Sequence, residues 1–319
     1  MDEIEGLIFE LTKCVRSDLS LNSFYLNSKF VPVGEFGTFG DWTGKRVEAS
    51  EPVRKLVEIG PDALPYLLKA LDDDTPTDIV IQAVKTEGAI AGGMAFDEAM
   101  YGNPANPTEA FVLRLNRFPY SASIRPKDER FSVAPEMESY RIKVGDVCFI
   151  VLGQIVSRQY DCLDSPHVKS SAKLVCSPVH RKALRKQLAS IWKSQHPRQK
   201  VLESLIVDFS TRGVLQMNSL DYWDIGNDFQ IEATKRLLYY YPDVAVPLLV
   251  DRIKNLQTSD DNFDDCIKNG LRSDNFVDAI AWSKNGEIKS ALADLGRRAK
   301  ENYLIDALQR AGVMVPKGK

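Results

Sequence analysis

The sequence predicts an all-α or nearly all-α fold built from short helical hairpins, and three observations lead to that prediction. Apolar residues between Val53 and Asp72 recur at helical spacing on both sides of a Gly-Pro turn. A similar arrangement returns between residues 237 and 253. Hydrophobic residues make up 44% of the 319 residues and charged residues 27%, the ordinary composition of a globular chain with a sizeable core.

The stretch from Val53 to Asp72 is expected to form two short helices with a turn at Gly60. Glycine readily adopts the left-handed conformation that ends many helices, and Pro61 suits the first position of the next helix. Both helices are too short to be stable alone in water, so each apolar stripe needs a neighbouring helix pair to cover it. Stacked helix pairs that cover one another in this way form a solenoid.

This pattern resembles a HEAT-type repeat, the helical-hairpin unit of many scaffold proteins. The resemblance covers the Pro-Asp pair at the turn, Pro61-Asp62, which returns as Pro242-Asp243, and the apolar positions around each pair. It implies an irregular HEAT-like helical-hairpin solenoid whose concave surface binds a protein partner. Three weaker units are expected further along the chain, over 275–282, 287–296 and 302–312.

The chain is expected to form a single α-solenoid-like unit over residues 1–319, interrupted by long loops between 20 and 50 and between 88 and 140. Glycine and proline residues in both loops interrupt the helical periodicity. The alternative is a subdivision into an N-terminal part with the long loops, 1–138, and a C-terminal helical part, 139–319.

The location predicted for the protein is the cytoplasm, without a membrane partner. Its first residues carry acidic side chains where a secretory signal needs basic ones. The longest apolar run, from Cys148 to Val156, is about half the length that spans a bilayer. Five cysteines, an odd number scattered over a long chain, fit a reducing compartment. The net charge of −3 gives no overall attraction to nucleic acid.

Local patterns predict the elements of the first half of the chain. An amphipathic helix is expected over 2–19, because apolar residues recur there on one face. A helix is also expected over 79–85, although the β-branched residues there suit a strand as well. Residues 140–144 are expected to be extended.

The second half of the predicted fold starts with a buried helix. Asp146 is expected to cap an almost wholly apolar helix, which must be central because it is hydrophobic on most sides. A polar linker over 161–176 is expected to lead into a helix that starts at Ser177. Pro197 is expected to end that helix.

Two cysteines and two histidines lie within nineteen residues, in the order Cys162, His167, Cys176 and His180. Thiolate and imidazole are the ligands that tetrahedral zinc prefers, and four of them complete a structural site. The spacing lacks the C-x2-C pair of most small zinc modules, and a helical core needs no metal in order to fold. The sequence therefore favours a surface linker with incidental Cys and His residues, and no cofactor is expected.

Basic residues are concentrated between Ser165 and Leu202, a stretch without Asp or Glu. On the helix expected after Ser177, basic side chains four residues apart form a ridge opposite the stripe of Leu184 and Leu188. Such a ridge can contact phosphates or dock an acidic partner, and the alternative is a solvated helix face balanced by acidic loops elsewhere. The residues predicted to bind a partner or nucleic acid are Arg181, Lys182, Arg185, Lys186, Lys193, Arg198 and Lys200.

The search for catalytic motifs is mostly negative. The sequence has no H-E-x-x-H, G-x-S-x-G or G-x-G-x-x-G motif, and it lacks the His-Glu dipeptides that hold iron in the HEAT-repeat hydroxylases. Asp221, Asp224 and Asp228, with Tyr222 and Trp223, are candidates to line a pocket or a cation site, and the alternative is a turn. Their spacing differs from that of a calcium loop and favours a turn in which Asp228 caps the next helix.

The function that the sequence favours is non-enzymatic binding of a protein partner, as a scaffold, adaptor or inhibitor. The first alternative is binding of a nucleic-acid phosphate backbone through the basic helix between residues 180 and 200. The second is a hydrolase or lyase with a site at Asp221–Asp228. The favoured function rests on fold analogy, and a fold by itself does not establish a function.

Overall fold

The structure is a computed structural model that describes residues 2–21, 30–33, 49–82, 139–158, 160, 162–164, 173–174, 177–210, 225–256, 273–300 and 302–315. The chain divides into two compact units: unit 1 comprises residues 1–32 and 39–201, and unit 2 comprises residues 33–38 and 202–319. This division differs from the predicted subdivision after residue 138, because strands from both sides of that position pair within unit 1.

Helices account for 71% of the described residues, which confirms the prediction of a mostly-α fold. The described part of unit 1 contains α1 (Glu3–Glu10), α2 (Glu51–Ile59), α3 (Leu64–Lys69), β1 (Pro76–Gln82), β2 (Ser139–Lys143), α4 (Val144–Val156), β3 (Leu163–Asp164), β4 (Lys173–Leu174) and α5 (Lys182–Trp192). The division between the units falls within α6 (Pro197–Ser210). The described part of unit 2 contains α7 (Ile225–Tyr240), α8 (Pro242–Lys254), α9 (Ser273–Ile280), α10 (Gly286–Arg298) and α11 (Asn302–Arg310). Across all these described helices, none is long and apolar enough to cross a membrane.

Helix α4 forms the centre of unit 1, as the sequence predicts. All 13 of its residues are buried, and α1, α2 and α3 contact it. A helix that is hydrophobic on all sides belongs in a core. Its start differs from the prediction, because Asp146 is the third residue of α4 rather than the residue that precedes it. From there its carboxylate accepts a hydrogen bond from the backbone N–H of Lys143 at 3.0 Å.

The start of α4 lies very close to two other segments of unit 1. The N–H of Val144, which has no partner within its own helix, donates to the carbonyl of Thr75 at 3.0 Å. At the next residue, a Cβ added to Gly145 would lie 2.7 Å from the Leu71 carbonyl oxygen and 2.8 Å from Val179 Cγ2. Only glycine therefore fits at this position.

Strands β1 and β2 form an antiparallel pair, in which Ile81 lies opposite Tyr140. The predicted helix over 79–85 is wrong for residues 79–82, which lie in β1, and residues 83–85 lie outside the described part of the chain. Ile79 and Ile81 are buried, whereas Val80 between them is 39% exposed. This alternation, together with β-branched side chains, suits a strand with one buried face. The prediction that residues 140–144 are extended is confirmed for 140–143, which lie in β2, whereas residue 144 already begins α4.

The helix predicted over 2–19 is shorter in the structure, since α1 ends at Glu10 and two 3-10 turns follow. Within the second turn, the buried carboxylate of Asp18 accepts the backbone N–H groups of Val15 and Ser50, each at 2.8 Å. Burial raises the pKa of this carboxyl, although both hydrogen bonds oppose the shift. Asp18 thus connects two backbone segments whose N–H groups are not paired within a helix or a strand.

The buried side chain of Gln154 makes the same kind of contact from α4. Its Nε2 donates to the carbonyl of Leu21 at 2.9 Å, and its Oε1 accepts the N–H of Val31 at 3.2 Å. A buried amide is costly unless both of its ends are hydrogen-bonded. Gln154 therefore attaches two irregular segments to the central helix.

The predicted turn at Gly60 is confirmed. Helix α2 ends at Ile59, and Gly60 has a φ of 71°, which side chains other than glycine rarely allow. Pro61 lies in a 3-10 turn rather than at the first position of the next helix, which begins at Leu64. Apolar residues of both helices are buried.

The segment between α4 and α5 contains more structure than the predicted polar linker, because β3 and β4 pair there as a short antiparallel ribbon. The helix predicted to start at Ser177 begins instead at Lys182. Pro197 begins the next helix, α6, which confirms the predicted break. The predicted stripe of Leu184 and Leu188 on α5 is buried, together with Ile191 and Trp192.

In unit 2 the second predicted hairpin forms two helices, α7 and α8, separated by Tyr241. Helix α7 contacts α8 and α9, α8 contacts α10, and α11 contacts α9 and α10. Arg298 of α10 donates to the carbonyl of Ile253 at 2.7 Å, where the last carbonyls of α8 lack helical partners. Arg310 of α11 forms two hydrogen bonds with the carboxylate of Asp278 on α9. Charged groups thus connect helices whose apolar faces form the core.

Replacing Gly145 with Ala is expected to lower the free energy of unfolding by about 1–3 kcal/mol, because the new Cβ would overlap the Leu71 carbonyl oxygen. Gly6→Ala in α1 is a matched control, since a Cβ there meets nothing within 4 Å. The control is expected to raise the free energy of unfolding by up to about 1 kcal/mol. Urea denaturation followed by circular dichroism measures both, and equal effects would contradict the close approach.

Candidate functional site

Three of the predicted binding residues are exposed on α5 or directly after it: Lys182 and Lys186 lie in the helix, and Lys193 is the residue that follows its last one. At about 100° per residue, their positions fall within about 40° of one another around the helix. They lie on the side opposite Leu184 and Leu188, which are buried. We call these three residues the lysine stripe, and it extends over about 16 Å of helix.

The charge of the lysine stripe is not neutralised by any acidic side chain in the described part of the chain. Residues 177–202 contain no Asp or Glu that could pair along the same helix face. Helix α2 differs in this respect, because its Lys55 and Glu51 form an ion pair one turn apart at 2.9 Å. The lysine stripe therefore presents three positive charges to solvent.

The remaining predicted residues are placed differently. Arg198 at the start of α6 forms an ion pair with Asp62 at 2.8 Å. Arg181 is half-buried and interacts with its surroundings, and Lys200 is half-buried. The structure thus places three of the seven predicted residues along one exposed side of α5 and its C-cap, whereas Arg198 and Lys200 lie on α6.

Arg185 holds the beginning of α5 and does not extend the lysine stripe. Its Nη1 donates to the carbonyls of Pro178 at 2.5 Å and Val179 at 2.8 Å, in the turn that precedes the helix. Hydrogen bonds from a charged donor are stronger than those between neutral groups. Arg185 therefore fixes the turn from which the lysine stripe begins.

A buried hydrogen-bond cluster fixes the same turn from the side of α4. Ser177 Oγ donates to Asp146 Oδ1 at 2.6 Å, and the hydroxyl of Tyr140 donates to Oδ2 at 2.8 Å. The backbone N–H of Lys143 also donates to Oδ2. The Asp146 carboxylate thus connects β2 to Ser177, which precedes the turn before α5.

Burial raises the pKa of the Asp146 carboxyl, although the hydrogen bonds from Ser177, Lys143 and Tyr140 favour its charged form. Burial, followed by the nearby Asp146, also raises the pKa of the Tyr140 hydroxyl, so this hydroxyl remains a donor at neutral pH. Asp146 and Ser177 are 0% exposed. The cluster is therefore shielded from any substrate and supports the fold.

Two of the four candidate zinc ligands lie beside this cluster. The ring of His180 contacts Tyr140 edge-on, with 5.8 Å between the ring centroids. Cys162 is buried, and it is close enough to contribute to the raised pKa of Tyr140. His167 and Cys176 lie outside the described residues. Among the residues that are described, no group of three or more His, Cys, Asp and Glu side chains could hold a metal ion.

The alternative enzyme site at Asp221–Asp228 falls outside the part of the chain whose side chains are described. Only the backbone of its last residues is described, as the first turn of α7. That helix begins at Ile225, so Asp228 lies inside it rather than at its cap.

A second surface, on α8, is not predicted by the sequence. Val244 and Leu248 are 38% and 37% exposed, and Pro247 between them is exposed as well. We call these three residues the α8 ridge. The signal that could have revealed it is the number of apolar residues in α8, because one helix face cannot bury all of them. The contribution of Tyr140 and Ser177 to a buried cluster had no comparable signal, since the two residues are far apart in sequence.

Comparison with known proteins identifies no relative of this chain. The chain matches no family model, no curated protein and no solved structure. The HEAT-like solenoid therefore stays a prediction. The proposals that follow rest on the geometry of the lysine stripe and the α8 ridge.

Replacing Arg185 with Ala is expected to lower the free energy of unfolding by about 1–3 kcal/mol, because two partly buried carbonyls lose a charged donor. Lys186→Ala is the matched control, since it removes an adjacent positive charge that is exposed. We expect the control to leave the urea midpoint unchanged within error. An equal loss of stability in both variants would show that Arg185 is only a surface charge.

Replacing Asp146 with Asn tests the raised pKa of this carboxyl. The folded protein binds the proton of the Asp146 carboxyl more tightly than the unfolded chain does. The contribution of Asp146 to the free energy of unfolding therefore decreases as pH rises from about 3.8, the ordinary pKa, to the higher pKa of the folded state. The free energy of unfolding of the wild type, relative to that of the Asp146→Asn variant, should therefore decrease with rising pH and then level off. Urea denaturation at a series of pH values measures this difference, and an increase with pH would contradict the raised pKa.

Proposed function

We propose that the protein is a non-enzymatic binding protein that recognises a protein partner, acting as a scaffold, adaptor or inhibitor. The observation that carries this proposal is the exposure of the α8 ridge on the outside of a helical hairpin. The resemblance to HEAT-type repeats supports the same function, since such hairpins bind partners through exposed helix faces.

The α8 ridge is not required for the core of its own hairpin. Ala245, Leu249 and Ile253 form the inward face of α8 and are 0% exposed. Val244 and Leu248 lie one turn apart on another side, about 6 Å along the axis. Single exposed apolar residues are normal on protein surfaces, whereas neighbouring ones form the centre of many protein interfaces. The ridge therefore offers a small apolar contact to a partner.

Charged residues beside the α8 ridge define the partner further. Asp243 and Asp251 are exposed, and Asp251 follows Leu248 by three residues on the same side of the helix. Interfaces commonly surround an apolar centre with a polar rim of complementary charge. We therefore propose a partner that presents an apolar side chain flanked by Lys or Arg.

The proposed location is the cytoplasm. Cys14 and Cys148 are free and buried thiols, and Cys162 is buried as well. Burial raises the pKa of Cys14 to about 12, which keeps this thiol protonated and unreactive at neutral pH. Buried free thiols are typical of proteins in a reducing compartment.

Changing Val244 and Leu248 together to Glu is expected to reduce recovery of the partner at least about tenfold, because charge replaces the apolar centre of the contact. Affinity capture from lysate of the source organism, quantified by mass spectrometry, compares this double variant with the wild type. Met314→Glu is the matched control, since Met314 is 95% exposed and lies outside α8.

Circular dichroism is recorded on all three proteins so that a folding defect is recognised. A partner recovered equally by the wild type and the double variant would contradict the role of the α8 ridge. Repeated recovery of no stoichiometric partner by the wild type would contradict the proposed function itself.

A further inference from the structure

We propose that the lysine stripe of α5 binds the phosphate backbone of a double-stranded nucleic acid without reading its sequence. This inference does not depend on the α8 ridge or on a protein partner. It stands on the exposure of Lys182, Lys186 and Lys193 on one helix face, on their lack of acidic partners in the described chain, and on the chemistry of the surface around them.

The spacing of the lysine stripe suits a row of phosphates. Lys182 and Lys186 are separated by about 6 Å along the helix axis, and Lys186 and Lys193 by about 10 Å. A duplex carries one phosphate per strand for about every 3.4 Å of its axis. Lysine is a point charge on a flexible stem, so each ammonium can reach a phosphate without an exact register.

The same face lacks what a protein interface needs. The large apolar side chains that are exposed in the described chain lie elsewhere, and none of them is on α5 or α6. An exposed ion pair between proteins raises affinity by a factor of about five or less, so three pairs without an apolar centre give roughly a hundredfold at most. A nucleic acid releases condensed counterions when lysines contact it, and that effect supplies essentially all of the non-specific binding of proteins to nucleic acid, without an apolar centre.

The aromatic and arginine residues of α5 favour a duplex and backbone contacts. Trp192 is 1% exposed and donates to the Tyr160 hydroxyl at 3.0 Å, so its ring is not available to stack on unpaired bases. Arg185, whose guanidinium could otherwise read guanine, is engaged with the carbonyls of Pro178 and Val179. Lysines that contact only phosphates position a protein but carry no sequence information.

The net charge of −3 does not oppose such binding. Charges farther apart than about 10 Å are largely screened at an ionic strength of about 0.1 M. The segment 177–202 that carries the lysine stripe contains no Asp or Glu, and Asp62 pairs with its Arg198 rather than with the stripe.

The test compares the full-length wild type with the variant Lys182→Gln, Lys186→Gln, Lys193→Gln. The probes are a fluorescein-labelled DNA duplex, an RNA duplex and a DNA single strand of the same length, titrated at several salt concentrations and followed by anisotropy. The matched control is Lys284→Gln, Lys289→Gln, Lys300→Gln, which removes the same charge from three exposed lysines of unit 2. The Val244→Glu, Leu248→Glu variant is also titrated, and it should bind like the wild type.

We expect the wild type to bind a duplex, with three phosphate contacts that weaken binding roughly 40-fold between about 50 and about 200 mM salt. The stripe variant should lose at least about tenfold in affinity and most of that salt dependence, whereas the control variant should keep both. A preference for DNA or RNA identifies the source of the duplex.

Several results would overturn the proposal: no duplex binding by the wild type at low salt, an equal loss in the stripe and control variants, or tighter binding of the single strand. Unlabelled polyglutamate that displaces the duplex as effectively as unlabelled duplex would also overturn it, and would assign the stripe to an acidic protein.

Discussion

The fold of unit 1 depends on the buried carboxylate of Asp146. Its two oxygens accept hydrogen bonds from Ser177, Tyr140 and Lys143, which belong to segments on both sides of the central helix. Removing a carboxylate from water costs free energy, and the raised pKa of Asp146 reflects that cost. The three hydrogen-bond donors offset part of it. Gly145, which directly precedes Asp146, allows the backbone of Leu71 to approach. Together these contacts fix where α5 begins.

Polar side chains take the place of regular backbone pairing elsewhere in unit 1. Asp18 accepts two backbone N–H groups, and Gln154 bonds one carbonyl and one N–H, all in segments outside helices and strands or at their ends. Buried backbone groups must be paired, and irregular segments cannot pair with each other as helices and strands do. The core helix α4 therefore carries Asp146 and Gln154 among otherwise apolar residues, because these two side chains bind the segments packed around it.

The two candidate surfaces arise in the same way, from side chains that the fold does not use. On α5, Arg185 holds the preceding turn, and Lys182, Lys186 and Lys193 are left without a structural contact in the described chain. On α8, the inward face forms the core and leaves Val244 and Leu248 exposed. The two surfaces differ in chemistry, since one is cationic without exposed apolar residues and the other is apolar beside carboxylates. They are accordingly proposed for different partners, a phosphate backbone and a protein.

Much of the architecture follows from local sequence. Helical spacing predicts the mostly-α fold, Gly60 predicts the end of α2, and the apolar run around residue 150 predicts the buried α4, because spacing and conformational preference act over a few residues. The tertiary structure alone decided the rest. Residues 79–82 are a strand because β2, far along the chain, pairs with them. Arg185 and Lys186 are adjacent basic residues in the sequence, yet only Arg185 donates hydrogen bonds to two carbonyls. The sequence predicts that Asp146 caps one helix, whereas in the fold its carboxylate accepts hydrogen bonds from three donors. Such roles depend on which distant groups meet in the fold, and no local pattern of residues encodes that.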